Sequence, residues 1–243
     1  MVNVWPPICI GTVGKDEFVA PFQEAIRKDY PLAEHWATQP FQVQVPGGEG
    51  SQFLPMAISR TYRFATADGS WRLSLAADFL SLETRQYTSR QDFLRRLEQA
   101  WSALAVHVAP SHWNRLGVRY VDRIRDEELA RVGELFRPEM LGLLGSEASG
   151  EHLKQVLAES LVAVPEGNLA IRWGLLPAGR TTDPIGIPPE EKATYILDLD
   201  AFQEGLEPFA PLDLLARTQA LSDRIYAFFR WAIQPEFLRT FGG

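Results

Sequence analysis

Cysteine is nearly absent from this sequence of 243 residues, because Cys9 is the only one. A single thiol cannot form an internal disulfide or build a cysteine-based zinc site. The first residues, MVNVWPPICIGTVGKDEF, have neither a basic region nor a long apolar core, so we expect no secretory signal there. No segment reaches the roughly 18–20 consecutive apolar residues that a membrane helix needs. We therefore expect a cytoplasmic protein that makes no contact with a membrane.

The overall composition excludes several other classes of protein. Hydrophobic residues make up 46% and charged residues 23% of the chain, which excludes disordered, collagen-like and coiled-coil proteins. Asp and Glu together number 31 against 24 Lys and Arg, and the net charge is −7. An acidic chain does not indicate nucleic-acid binding through its overall charge, although a local basic patch can still provide it.

The sequence motifs of common catalytic and cofactor sites are also missing. None of the four histidines forms the H-x-x-x-H pair of a helical metal site. There is no G-x-S-x-G nucleophile segment, no G-x-G-x-x-G and no G-x-x-x-x-G-K-[ST]. The glycine-rich segment PGGEG (46–50) is followed by neither Lys-Ser nor Lys-Thr. We therefore predict no catalytic residue, no metal and no cofactor, and we leave open whether the protein is an enzyme.

Alternation of apolar and polar residues predicts the strands of an antiparallel sheet. The clearest hairpin joins a strand over 56–66 to a strand that begins at Trp71, through a predicted type I′ turn at Asp68-Gly69. Residues 2–10 are predicted to form a short edge segment, because Pro6-Pro7 cannot lie within a central strand. The other predicted strands cover 41–45, 80–84, 115–125, 168–176 and 193–200.

Apolar residues at helical spacing predict the helices, of which two are long. Ser89 is predicted to cap the helix over 90–106, and the last helix covers 212–233. Another helix is predicted over 15–29, with Phe18, Phe22, Ala25 and Ile26 on one face. Two shorter helices are predicted over 127–144 and 151–162. The residues predicted to be buried on the two long helices are Leu97, Trp101, Leu221, Ile225 and Phe228.

These elements together predict one α+β domain over residues 1–243, an antiparallel sheet with long helices packed on one face. Hairpins in place of βαβ crossovers argue against a Rossmann or TIM fold. Residues 61–106 and 168–233 share the order strand, connection, strand, helix, and Asp78 aligns with Asp200. This order indicates an internal duplication of a hairpin-plus-helix unit, and chance similarity between two common units is the alternative.

Arginines line one face of the predicted strand over 115–125. Because four like charges on one face repel each other, carboxylates or an anion must lie nearby. We predict that Arg119 pairs with Asp198 or Asp200, and the alternative is contact with an anionic ligand or with nucleic acid. The candidate ligand-binding residues are Arg115, Arg119, Arg123, Asp198 and Asp200, and the fourth arginine of the face is Arg125.

Seven tryptophans are many for a chain of this length. Four of them lie at apolar positions of the predicted strands and helices, and we expect them in the core: Trp71, Trp101, Trp173 and Trp231. Trp36 and Trp113 lie in less regular segments and are candidates for a groove or an interface, where aromatic residues are enriched.

Several segments in the same order resemble a bacterial and archaeal family of proteins of unknown function, which carries a number in place of a descriptive name. They are PPI near the start, DGSWRLSLAADFLSLETRQYTSRQDFLRRL, RLGVRYVDRI, ILDLD and the end of the last long helix. The resemblance covers most of the chain and is weakest over 127–165 and 177–190. It implies no catalytic residue, and the scattered occurrence of the family implies an association with defence or mobile genes.

The sequence therefore favours a binding or interaction protein that is not an enzyme. We expect another protein as its partner, and its oligomeric state stays open. A small-molecule binder or enzyme with a site between sheet and helices is the first alternative, and a nucleic-acid accessory factor that uses the arginine face is the second.

Overall fold

The computed structural model describes residues 2–5, 16–37, 60–146, 153–184 and 187–242. The chain divides into two compact units. Unit 1 comprises Met1–Leu116 and Glu204–Ala216, and unit 2 comprises Gly117–Gln203 and Arg217–Gly243.

The strands of unit 1 pair in antiparallel fashion. They are β1 (Val2–Trp5), β2 (Leu32–Ala37), β3 (Arg60–Ala65), β4 (Trp71–Leu75) and β5 (Leu80–Thr84). Their order is β2-β3-β4-β5-β1, and the beginning of β6 (His112–Ile124) follows β1. The prediction of an edge position for residues 2–10 is therefore wrong for β1. The physical reason is that Pro6-Pro7 follows the strand and leaves its amides free to pair.

The β3–β4 hairpin is confirmed, but its predicted turn type is wrong. A type I′ turn needs positive φ at both central residues, and here Gly69 has φ of 69° while Asp68 does not have a positive φ. The Asp68 carboxylate accepts hydrogen bonds from the hydroxyls of Thr66 and Ser70 and from the Ser70 amide, at 2.5–3.0 Å. These bonds stabilise a loop that is longer than a two-residue turn.

Helices α1 (Asp16–Ile26) and α2 (Arg90–His107) cover one face of the strands in unit 1. The ring centroids of Phe22 and Phe64 are 5.9 Å apart, and those of Trp71 and Phe93 are 5.5 Å apart. As predicted, the Ser89 side chain caps α2 by accepting a hydrogen bond from the backbone amide of residue 92 at 3.2 Å. Phe18, which was expected on the apolar face of α1, is 43% exposed. Val19 is buried in its place, together with Phe22 and Ile26 as predicted, whereas Ala25 is exposed.

The strands of unit 2 are also antiparallel. They are the part of β6 from Gly117 on, β7 (Ala158–Val164), β8 (Gly167–Leu176) and β9 (Thr194–Pro208). The residues of β9 from Glu204 on belong to unit 1. Their order is β6-β9-β8-β7. In the register of β8 and β9, Arg172 lies opposite Asp198 and Ala170 lies opposite Asp200.

Helices and short helical turns complete unit 2. They are α3 (Asp126–Ala130), α4 (Val132–Leu135), 3₁₀ turns at Pro138–Met140 and Gly142–Gly145, the end of α5 (Pro211–Ala232) and α6 (Pro235–Phe241). The Tyr195 ring of β9 lies 4.8 Å from that of Phe136, which also contacts Phe237 of α6. Leu221 and Ile225 of α5 are buried as predicted.

The predicted helix over 151–162 is wrong, because the described end of this segment is strand β7. Its apolar residues fit helical spacing, but pairing with β8 overrides that local preference. The predicted helix over 127–144 is broken into α3, α4 and 3₁₀ turns. The predicted strand over 41–45 lies outside the described residues, and sequence analysis missed β2 and α6.

Burial confirms part of the predicted core. Trp71 and Trp101 are buried, Trp173 is half-buried, and Trp231 is 42% exposed, which contradicts its predicted place in the core. Trp231 lies near the end of α5, where its ring contacts Phe228 and the Arg137 guanidinium. Phe228 is only half-buried because α5 turns this aromatic pair toward solvent. Trp113 is buried and does not line a groove, and the side chain of Trp36 lies outside the described residues.

The α+β class and the antiparallel pairing are confirmed. Each unit contains an antiparallel hairpin and a long helix, but β5 lies between the hairpin and α2 in unit 1. Asp78 is exposed, whereas Asp200 lines a cavity. A single domain and an internal duplication stay predictions. Within the described ranges, no helix has the length and apolar character needed to cross a membrane.

Truncation of a buried leucine on α5 tests its assigned face. Leu221 is 0% exposed, whereas Leu212 on the same helix is 76% exposed. We expect Leu221→Ala to lower the free energy of unfolding by about 2–5 kcal/mol, because it leaves a cavity. The control Leu212→Ala should stay within about 0.5 kcal/mol of the parent in urea denaturation. Equal losses in the two variants would contradict the assignment.

Candidate functional site

The two faces of β9 differ in chemistry. Tyr195, Leu197 and Leu199 share the face that packs on the aromatic core, and the Gln203 side chain on that face accepts a hydrogen bond from Arg217 of α5. Because side chains alternate along a strand, Asp198 and Asp200 point to the opposite face. That face of unit 2 carries a network of charged residues.

Arg119 of β6 and Asp198 of β9 form an ion pair with two parallel hydrogen bonds. Arg119 Nε donates to Asp198 Oδ1 at 2.7 Å, and Nη2 donates to Oδ2 at 2.7 Å. The side chains are 16% and 3% exposed, so the pair is largely removed from solvent. This geometry confirms the predicted pairing of Arg119 with a carboxylate of the late strand.

Further charged groups extend this pair across the sheet. Arg119 Nη1 donates to Oδ2 of Asp183 at 2.7 Å, and Asp183 lies in the connection between β8 and β9. Arg172 Nη1 of β8 donates to Asp198 Oδ2 at 3.1 Å, and Arg172 Nη2 donates to Glu159 of β7 at 3.0 Å. The network thus includes a side chain from each of the four strands of unit 2 and one from a loop.

The Arg119 guanidinium stays charged within this network. Burial by itself would lower its pKa, but the hydrogen bonds and negative charges of Asp198 and Asp183 outweigh burial and raise that pKa. Arg119 therefore keeps its positive charge at ordinary pH.

A second group of arginines holds the end of the β8–β9 connection. Arg123 Nη1 donates to Glu190 Oε1 at 2.5 Å, and Arg125 Nη2 donates to the same oxygen at 2.7 Å. Arg123 also donates to the Pro188 carbonyl at 2.7 Å. The hydrogen bond from Arg125, with a further contribution from Arg123, holds the pKa of Glu190 below its ordinary value. The arginine face of β6 thus fixes this connection onto the sheet.

A polar cavity of about 310 Å³ lies beside the Arg119–Asp198 pair. Three carboxylates and two guanidiniums face it, so negative groups outnumber positive ones. The hydroxyl of Thr182 is buried and has no hydrogen-bond partner among the described residues. The polar lining residues are Arg119, Arg172, Thr182, Asp183, Asp198 and Asp200.

The structure brings together three of the predicted site residues and places two elsewhere. Arg119, Asp198 and Asp200 line the cavity. Arg123 contacts Glu190 and the loop rather than the cavity, and Arg115 belongs to unit 1.

Sequence analysis missed the cavity residues that lie outside β6 and β9. Arg172 could have been found, because it alternates with the apolar neighbours Ile171 and Trp173 in a predicted strand. Thr182 and Asp183 lie in a proline-rich connection whose pattern carries no signal for them. Contact between residues 64 apart depends on the fold rather than on local sequence.

No group of three His, Cys, Asp or Glu side chains in the described part of the chain is placed to hold a metal ion. Comparisons with protein families, with curated proteins and with solved structures find no match for the chain.

Asp122 is a titratable group that sequence analysis overlooked on the apolar face of β6. It lies on the same face as Val118 and Ile124, which are buried, while Asp122 itself is half-buried. Burial raises the pKa of the Asp122 carboxyl from 3.8 to about 6. The alternation of β6 alone could have predicted this unfavourable position for a carboxylate.

Replacement of Asp122 should stabilise the protein at neutral pH. The folded-state pKa of Asp122 is about 6, above its ordinary value, so ionisation of this carboxyl lowers stability as the pH rises through about 4–6. We expect Asp122→Asn to raise the free energy of unfolding by about 1–3 kcal/mol at pH 7.5 and by much less near pH 4.

The matched control for this variant is Asp78→Asn, because Asp78 is exposed in unit 1. It should stay within about 0.5 kcal/mol of the parent at both pH values. Urea denaturation at the two pH values measures the difference. A gain from Asp122→Asn that does not change with pH would contradict the titration of this carboxyl.

Proposed function

We propose that the chain is a binding protein and that the cavity of unit 2 holds a small polar ligand that donates hydrogen bonds through hydroxyl or ammonium groups. The observation that carries this proposal is the state of the two arginines in the lining. Their donors are already engaged by carboxylates of the same unit. A ligand that brings donors therefore suits the lining better than one that brings acceptors.

An anionic ligand would have to displace carboxylates from these arginines. Asp198 is 3% exposed, and a buried charge that loses its partner is strongly destabilising. The cavity lining also holds more carboxylates than guanidiniums, which repels an anion. These two facts weigh against the anion-binding alternative for this site.

The Thr182 hydroxyl supports a ligand with hydrogen-bonding groups. A buried polar group without a partner costs about 1–3 kcal/mol. Thr182 lines the cavity, and a ligand that hydrogen-bonds its buried hydroxyl would remove that cost. The volume of about 310 Å³ lies at the lower end of the range for small-molecule sites. It suits a ligand the size of a monosaccharide or a short diamine.

Two other functions are supported less well. A nucleic-acid accessory role would use the arginine face of β6, but Arg119, Arg123 and Arg125 contact carboxylates there. An enzymatic role for the cavity stays an alternative. Membership in the bacterial and archaeal family described above, its association with defence genes and a cytoplasmic location stay proposals.

Calorimetric titration with three probes tests the proposal. The probes are glucose as a polyol, putrescine as a diamine and inorganic phosphate as an anion. We expect saturable binding of a donor probe and none of phosphate. Thr182→Val should weaken that binding about three- to tenfold, which corresponds to the loss of one hydrogen bond.

Thr240→Val is the matched control, because it removes a hydroxyl from α6 rather than from the cavity. It should leave the affinity of the donor probe unchanged. Binding of phosphate alone, or equal effects of Thr182→Val and Thr240→Val, would contradict the proposed ligand class and site.

A further inference from the structure

Strand β7 lies at the end of the strand order in unit 2. Among the described residues it pairs only with β8, so its other edge presents backbone donors and acceptors. Five of the seven residues in its sequence, AESLVAV, are apolar. Leu161 is 65% exposed and Val162 is 43% exposed, on opposite faces of this strand.

The edge of β7 has few of the features that usually prevent edge-to-edge pairing. Proteins protect such edges with lysine, proline, bulges or charges that point inward. β7 contains no Lys, Arg or Pro, and its single charged residue is Glu159. By contrast β2, at an end of the strand order in unit 1, carries Glu34 and His35.

The one charge of β7 is held by its own sheet. Arg172 of β8 donates to Glu159 at 3.0 Å, which draws the carboxylate toward β8. The other residues of β7 are alanine, valine, leucine and one serine, and none of them is charged. An approaching strand would therefore meet no unpaired charge at this edge.

We propose that β7 is the interface between two copies of this chain, paired edge to edge in antiparallel fashion. A two-fold axis perpendicular to the sheet produces such a pair, and it keeps each residue on the same face in both copies. If Leu161 lies opposite its own copy, Glu159 lies opposite Ala163 of the partner subunit. Ser160 then lies opposite Val162 of the partner subunit.

This register makes β7 complementary to itself. No like charges face each other, and the exposed leucines of the two copies pack together. A peptide of different sequence would satisfy the backbone of β7 equally well, but only a second copy places the exposed leucine against an identical side chain. The proposal does not depend on the ligand proposed for the cavity.

Sedimentation of the full chain across a range of concentrations tests the pairing. We expect reversible dimers with a dissociation constant on the order of 10 µM, since a single-strand interface is small. Leu161→Lys should raise this constant at least about tenfold, because a lysine meets its own copy across the axis. Leu143→Lys is the matched control, because Leu143 is 55% exposed in a 3₁₀ turn. It should leave the constant unchanged.

A cysteine cross-link tests the register without relying on a disruptive variant. In a Cys9→Ser background, Leu161→Cys should form a disulfide-linked dimer on oxidation, because residues directly opposite have Cβ atoms about 4.5–5.5 Å apart. Leu143→Cys in the same background should remain largely monomeric.

Three results would overturn the proposal. One is a wild-type chain that stays monomeric up to several hundred micromolar. Another is a dimer that Leu161→Lys does not weaken, which would place the interface elsewhere. The third is protection from hydrogen exchange, independent of concentration, of those β7 amides that point away from β8, which would show that a segment of the same chain covers this edge.

Discussion

The buried carboxylate of Asp198 is the constraint on which the charged face of unit 2 depends. A carboxylate that is 3% exposed is costly unless cations and hydrogen-bond donors surround it. Arg119 and Arg172 supply them from the strands on either side of β9. Arg119 in turn binds Asp183, which positions the β8–β9 connection over the sheet. The cavity and its proposed ligand chemistry therefore follow from the need to neutralise one buried charge.

Local sequence patterns predicted most of the fold. The β3–β4 hairpin, the cap of α2 by Ser89 and the buried face of α5 all depend on residues close together in the chain. The failures arise where distant contacts override local preference. β7 has apolar spacing that fits a helix, but its pairing with β8 makes it a strand. α6 begins at Pro235, which sequence analysis read only as the end of α5.

The sequence predicted the Arg119–Asp198 pair of the candidate site but not the loop residues that surround this pair. Alternation along β6 and β9 placed Arg119 and Asp198 on polar faces, and repulsion among the arginines of β6 required a negative partner for Arg119. The same reasoning left an anion as the alternative partner. Asp183 and Glu190 supply further carboxylate partners in place of an anion. Their loop is more than 60 residues from β6 in the sequence, and no local pattern predicts such a contact. Asp122 shows the opposite case, in which alternation was informative and was overlooked.

A double-mutant cycle on Arg119 and Asp198 tests the central claim most directly. The free energy of unfolding is measured for the parent, Arg119→Met, Asp198→Asn and the double variant. If the pair organises this face, Arg119→Met costs about 3–5 kcal/mol, and the coupling energy is at least about 1.5 kcal/mol. The same cycle on the more exposed pair Arg72 and Glu83 should give about 0–1 kcal/mol. A coupling of Arg119 with Asp198 no larger than that of the exposed pair would contradict the account.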